Sequence, residues 1–123
     1  VDMPDITGLD QVQIKETTTA LGGSVTFTGD SRNMDKYDSV GVSVYIARDS
    51  SDTDVDVTPQ HSGDNSTWRD IETVNLAVTA ADSTATLNRV YAICRTHFRI
   101  KLVNKTANGL ATTEAFVMQK PTS

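Results

Sequence analysis

The stretch DTDVDVTPQHSGDNSTW opens with three aspartates on alternate positions, Asp52, Asp54 and Asp56. Such a run could begin a calcium loop or supply the acid of a hydrolase. The calcium pattern fails where its geometry is strictest. Counted from Asp52, Val57 stands where a glycine makes the sharp turn, and Gly63 stands where a bidentate glutamate belongs. In extended backbone, side chains on one face are about 6.5–7 Å apart, too far for one ion to gather all three without a bend. The expectation is a solvated strand face whose like charges also discourage edge-to-edge pairing. A weak cation site shared with Asp49 or Asp64 is the alternative.

Other chemistry has little to work with. The two histidines lie apart, His61 in a turn-rich stretch and His97 between Arg95 and Arg99, and neither is near a glycine-framed serine. Cys94 is the single cysteine, so it forms no internal disulfide, and it reads as a small buried hydrophobe. One cysteine and two distant histidines form no closed zinc set. Gly22-Gly23 lacks the lysine and helix of a phosphate loop. No carboxylate pair is singled out for glycoside cleavage. The expectation is a protein that is not an enzyme, with no catalytic, cofactor or metal residues to assign. Trp68, Tyr37, Tyr45 and Tyr91 could form sugar-stacking platforms, with Asp64 and Asn65 beside Trp68 bonding hydroxyls; the plainer reading makes Trp68 a packing anchor and the tyrosines half-buried strand residues. Arg95, Arg99 and Lys101 read as a basic row facing solvent or an acidic partner.

Length and charge bound these readings. At 123 residues the chain suits one domain with a core of its own, and its 37% hydrophobic share fits a thin two-layer sandwich. Net charge is -5, unevenly spread: residues 1–82 hold 15 acids and 5 bases, residues 83–123 hold 1 acid and 6 bases. If strands of the two parts are neighbours the imbalance neutralises internally; if not, an acidic face and a basic face result. An acidic total argues against nucleic acid as the main partner. No apolar run approaches the ~20 residues of a membrane span, and Val-Asp-Met-Pro-Asp lacks the regions of a signal peptide, so cytosolic synthesis is expected. By the same token, the glycosylation triplets at Asn65 and Asn104 read as chance.

The elements that must position these residues are strands. Residues 1–10 have no period and read as an N-terminal arm, leaving 11–123 as one β-sandwich domain. Gln11–Glu16 alternates, Gly22-Gly23 turns the chain, and Val25 and Phe27 are expected to point inward. Met34 and Tyr37 should tuck under the polar loop 29–36. Ser39–Ala47 is the clearest strand, with Val40, Val42, Val44 and Ile46 on one face. Val55 and Val57 oppose Asp54 and Asp56; Gly63-Asp64-Asn65 is a tight turn. Val74, Leu76 and Val78 form a further stripe. Ser83–Asn88 and Val90–Cys94 read as two strands, then Phe98, Ile100 and Leu102 alternate with Arg99 and Lys101. The last strand, Ala111–Gln119, sets Phe116 and Met118 against Ala115 and Val117. About seven to nine short strands without a helical stripe predict an all-β antiparallel sandwich or jelly roll.

Within this frame, His61-Ser-Gly-Asp-Asn-Ser-Thr-Trp68, the later Phe98-Arg-Ile-Lys-Leu-Val-Asn104 and the earlier Tyr37-Asp-Ser-Val-Gly-Val-Ser-Val-Tyr45 form a layout spanning roughly residues 24–119. It resembles small β-sandwich structural proteins of tailed bacteriophage virions, with Asn65 where glycine is usual, and it is shared with discoidin-like carbohydrate-binding modules. The resemblance implies a virion protein made in host cytoplasm, a capsid decoration or cement protein on the shell exterior ahead of a tail component. Its implied partners are the major capsid protein and sister copies, in a homo-oligomer such as a trimer, with neither nucleic acid nor membrane. The contacts would come from the arm, Val1, Asp2, Met3, Pro4 and Asp5 foremost, and from Arg95, Arg99 and Lys101. The competing reading is a glycan-binding module of a tail or secreted enzyme, using Asp64, Asn65 and Trp68.

Overall fold

The alternation closes into two antiparallel sheets in the computed structural model, which describes residues 12–121. In chain order the strands are β1 (Val12–Thr17), β2 (Thr26–Thr28), β3 (Arg32–Asn33), β4 (Tyr37–Arg48), β5 (Thr53–Ser62), β6 (Arg69–Asp70), β7 (Val74–Val78), β8 (Thr84–Ala92), β9 (His97–Asn104) and β10 (Leu110–Pro121). A four-stranded sheet runs β1-β10-β4-β8. In the six-stranded sheet β9 and β5 are central; β2 and β3 pair with the far side of β9, and β6 and β7 share the far side of β5. The expected β-sandwich is therefore the observed one. The expected arm, residues 1–10, lies outside the described residues.

Period-two placement of β-branched residues explains the core. Val40, Val42, Val44 and Ile46 of β4 are buried against Val55 and Val57 of β5, Phe98, Ile100 and Leu102 of β9, and Leu76 and Val78 of β7. Ala115 and Val117 of β10 turn inward and Phe116 and Met118 outward, so the bulkier pair lies on the open face. Met34 is buried beneath the 29–36 loop as expected, and buried Gln119 fastens that loop by donating to the Asn33 carbonyl at 3.0 Å.

Three local expectations are corrected. Val25 is 44% exposed: Ser24 takes a left-handed φ of 58°, which breaks the alternation before β2 begins at Thr26. Cys94 is exposed, because Leu87, Tyr91 and the partly buried Ile93 take the inward side, which leaves Cys94 on the outward one just past the end of β8. Residues 84–92 form one strand where two were expected. Arg89 there interrupts the apolar pattern without breaking the ladder. It shares the inward side with Leu87 and Tyr91, but at the lip of the sandwich, where its guanidinium donates to Glu72 at 3.0 Å. The Tyr91 hydroxyl donates to the same carboxylate oxygen at 2.6 Å. That bond, with help from Arg89, holds the Glu72 carboxyl below its ordinary range against the opposing effect of desolvation.

The basic last third of the chain lies among the acidic strands. β10 sits between β1 and β4, β8 against β4, and β9 against β5. Arg89–Glu72 at 3.0 Å and Lys105–Asp56 at 3.7 Å join the two parts, so the sequence imbalance is partly neutralised inside the molecule.

Candidate functional site

The outer face of the six-stranded sheet gathers the residues singled out by the sequence. Phe98, Ile100 and Leu102 point inward, which turns His97, Arg99 and Lys101 outward opposite Ser62, Gln60 and Thr58 of β5. The chain after the 63–67 turn comes back to place Trp68 on this same face and pairs β6 with Gln60 and His61.

The centre of the face is a chain of four side chains. The Arg99 guanidinium lies over the Trp68 ring, 4.2 Å from its centroid. Its Nε donates to Gln60 Oε1 at 2.8 Å, and Gln60 Nε2 donates to Asp70 Oδ1 at 2.7 Å. Each polarity follows from chemistry, since a guanidinium only donates and a carboxylate only accepts; the amide between them can satisfy both in one orientation. Gln60 is 6% exposed although it belongs to the outer face, because Trp68, Arg99 and β6 cover it. Stacking and the Nε bond together hold Arg99 in one rotamer with its terminal nitrogens left to donate. The packing role expected for Trp68 thus falls outside the core: it supports an arginine, and one ring face is occupied in doing so.

The other sequence-selected residues have distinct places. Arg95 is not in the row with Arg99 and Lys101. It lies in the exposed loop between β8 and β9, and with Arg69, Gly63, Asp64 and Thr67 it lines a polar cleft of about 290 Å³. Asp64 Oδ1 accepts from Ser66 N at 2.9 Å, Thr67 N at 2.7 Å and Ser62 Oγ at 2.9 Å. Those donors, the Thr67 and Ser66 amides foremost, pull its carboxyl down to about 2. Asn65 adopts a left-handed φ of 59°, which explains asparagine at a position suited to glycine, and its side-chain carbonyl accepts from Ser31. Asp64 and Asn65 therefore close the turn that delivers Trp68. His61 is held below its ordinary pKa, first by desolvation and then by Arg95.

The three aspartates are more engaged than a wetted face requires. The Asn75 amide of β7 donates to both Asp54 and Asp56, the latter at 2.9 Å, while Asp56 faces Lys105 at 3.7 Å and Asp52 faces Arg48 at 3.6 Å. Among the described residues no three His, Cys, Asp or Glu side chains converge as a metal would need. Val1, Asp2, Met3, Pro4 and Asp5 lie outside the described residues.

Sequence reasoning missed Gln60, Asp70 and Arg69, whose roles come from pairing between strands remote in sequence. It also missed Asn104 as more than a strand end. Asn104 is 1% exposed; its Nδ2 donates to the Gly22 carbonyl at 3.1 Å and the Asn108 carbonyl at 2.8 Å, and its Oδ1 accepts from Thr106 N at 3.0 Å and Thr106 Oγ1 at 2.9 Å. Asparagine at the close of a buried alternation is a polar residue on a core position, and that was the available signal.

No protein-family model matches the sequence, and no curated protein matches it. Among solved structures, the fold is similar to the PBSX exported protein XepA, with TM-score 0.70 and 14% identity over 99% of this chain and 40% of that one. It is similar to a chain of the T13 particle of IBDV, with TM-score 0.60 and 17% identity over 91% of this chain and 31% of that one. It is also similar to the C-terminal CBM6 of LamC from Zobellia galactanivorans, with TM-score 0.52 and 7% identity over 90% of this chain and 100% of that one. The chain thus spans well under half the length of the first two. At these identities the likeness is one of fold: an antiparallel β-sandwich architecture shared with an exported protein, a viral-particle protein and a CBM6 module.

Proposed function

We propose that this chain is a structural protein of a virion, a rigid sandwich that adheres to a coat shell as a decoration or cement protein and contacts the major capsid protein and sister copies. The observation that supports it most is the fixed Arg99, held on Trp68 by stacking and by the Asp70–Gln60 relay, with Lys101 beside it on the same face. A guanidinium whose rotamer is already chosen loses little entropy on meeting a carboxylate, which is how arginines come to dominate interfaces. The fold likeness to the PBSX exported protein XepA and to a viral-particle protein is in keeping with this reading. Function by adhesion involves no reaction, and copies repeated over a shell sum modest contacts. Gel densitometry of purified particles tests it. Hundreds of copies per particle are expected, a handful would move the chain to the tail, and none would end the virion reading. Arg99→Ala should lower shell occupancy without unfolding the sandwich.

A glycan-binding module is the second reading, favoured by the presence of Trp68 on an outer sheet face and by the fold likeness to the CBM6 module. Arg99 covers one ring face, so a sugar would stack on the other, with the 63–69 cleft and Arg95 beside it. A glycan array with the natural chain and Trp68→Ala decides: a signal that survives the substitution removes Trp68 from the role, and no signal removes the module reading.

A further inference from the structure

On the opposite side of the molecule, the outer face of the four-stranded sheet carries a groove of about 280 Å³ between β8 and β10, floored by Gly41 and Ser43 of β4. Phe116 and Met118 form one wall, and Val90, 62% exposed, forms the other with Asn88. Gly41 is the feature to explain. It sits in the middle of a twelve-residue central strand, where glycine weakens the ladder. Neither conformation nor space demands it: its φ is not in the left-handed range, and a Cβ there would meet only the Lys120 side chain at 3.8 Å, Met118 Cβ at 3.8 Å and the Arg89 carbonyl at 4.0 Å, ordinary contacts. A glycine the fold does not need, at the floor of an apolar groove, is what the close approach of another backbone calls for. The groove is edged by cations, with the Lys120 stem lying over Gly41 and Lys15 of β1 paired opposite Phe116 on the same face. Among the described residues, neither lysine has a carboxylate within ion-pair distance.

The sequence holds a segment of matching chemistry. Residues 1–10, VDMPDITGLD, intersperse Val1, Met3, Ile6 and Leu9 with Asp2, Asp5 and Asp10 and contain no base. They lead into β1, the edge strand of this sheet. The groove lies level with Gln13 and Lys15, and β1 runs antiparallel to β10 with Val12 opposite Gln119, so going backward from Val12 the strand axis leads away from the groove, past Lys120. We propose that the groove over Gly41 receives residues 1–10 of a second copy of this chain, apolar side chains against Phe116, Met118 and Val90, and aspartates toward Lys15 and Lys120. This rests on the adhesive reading and names the sister-copy contact within it.

Cysteine cross-linking of the full chain tests it. Met3→Cys with Val90→Cys, in a Cys94→Ser background, should on oxidation give covalent dimers and higher multimers on a non-reducing gel, absent from either single variant. Adding Gly41→Leu should cut the cross-linked fraction about tenfold or more, the loss expected when an apolar side chain can no longer be buried, with the circular dichroism spectrum unchanged. A cross-linked monomer alone would show the segment on its own molecule and overturn the proposal. So would a yield no higher than in the single variants, or multimers indifferent to Gly41→Leu. Because the assay uses purified protein, multimers without shell binding would refute only the virion reading, and shell binding without multimers only this one.

Discussion

Asn104 offers the sharpest test of how the loops around the β9–β10 turn are held. Its side chain joins three pieces of chain: the Gly22 carbonyl, the Asn108 carbonyl and both donors of Thr106. The region is closely fitted, since a Cβ on Gly23 would lie 2.1 Å from the Ala107 carbonyl oxygen, and Ser24 N donates to the Thr106 carbonyl at 2.7 Å. Asn104→Ala removes four hydrogen bonds, each contributing about 0.5–1.5 kcal/mol net. Gly22 and Asn108 are exposed, so water can reach part of what is orphaned and the total falls toward the low end, about 2–3 kcal/mol. For a chain of this size that is a fall in Tm of roughly 6–15 °C. The assay is urea unfolding followed by fluorescence of the single tryptophan, with circular dichroism alongside; the midpoint should move and the slope should not. Asn104→Asp sharpens it. At neutral pH a buried carboxylate would face two carbonyls, so this variant should be no more stable than Asn104→Ala. Burial raises the carboxyl pKa in the folded chain, and protonation restores one donor, so stability relative to Asn104→Ala should rise as the pH falls. A loss under ~0.5 kcal/mol for Asn104→Ala, or an Asn104→Asp variant matching the natural chain at neutral pH, would refute the account.

Three further outcomes are expected. Gly41→Ala should stabilise the isolated chain by about 0.5–1 kcal/mol in urea unfolding, because its Cβ meets only ordinary contacts, and a destabilisation would mean that the backbone there needs glycine. Gly23→Ala should cost more than ~2 kcal/mol, since the new Cβ collides with the Ala107 backbone; a neutral result in the same assay would show that the two loops do not approach so closely. Asp64, depressed to about 2 from 3.8, contributes stability that is fully present above pH ~4 and lost as the pH falls toward 2. Asp64→Asn should therefore flatten the acid limb of the unfolding midpoint against pH, and unchanged curvature would remove Asp64 from the turn's support.

The sheets were legible because burial on one side imposes period two, and β9 obeys it along its whole length and β4 from Ser39 to Ala47. Legibility failed where something other than burial sets the phase. A single left-handed residue at Ser24 turned Val25 outward, and the ion pair of Arg89 with Glu72 let a charged residue occupy an inward position at the lip. The candidate site was half visible. Arg99 and Lys101 follow from the alternation of β9, but the partners that fix Arg99 are brought by β5–β9 and β5–β6 pairing between residues far apart in sequence. Local pattern carries no information about such register. Three cations close in sequence look like a row, yet the strand starts only at His97, which leaves Arg95 outside it.

The placement of β1 has a mechanical consequence. It is an edge strand paired with β10 from Val12 opposite Gln119 to Lys15 opposite Phe116 and, past a one-residue irregularity at Glu16, at Thr17 opposite Ala115. A tug on the chain ahead of Val12, directed along the strand, loads those rungs in shear, so they must slip together. The same tug directed sideways peels them one by one. Resistance to pulling at this end of the molecule should therefore depend on direction, with the lengthwise pull the harder one to yield to.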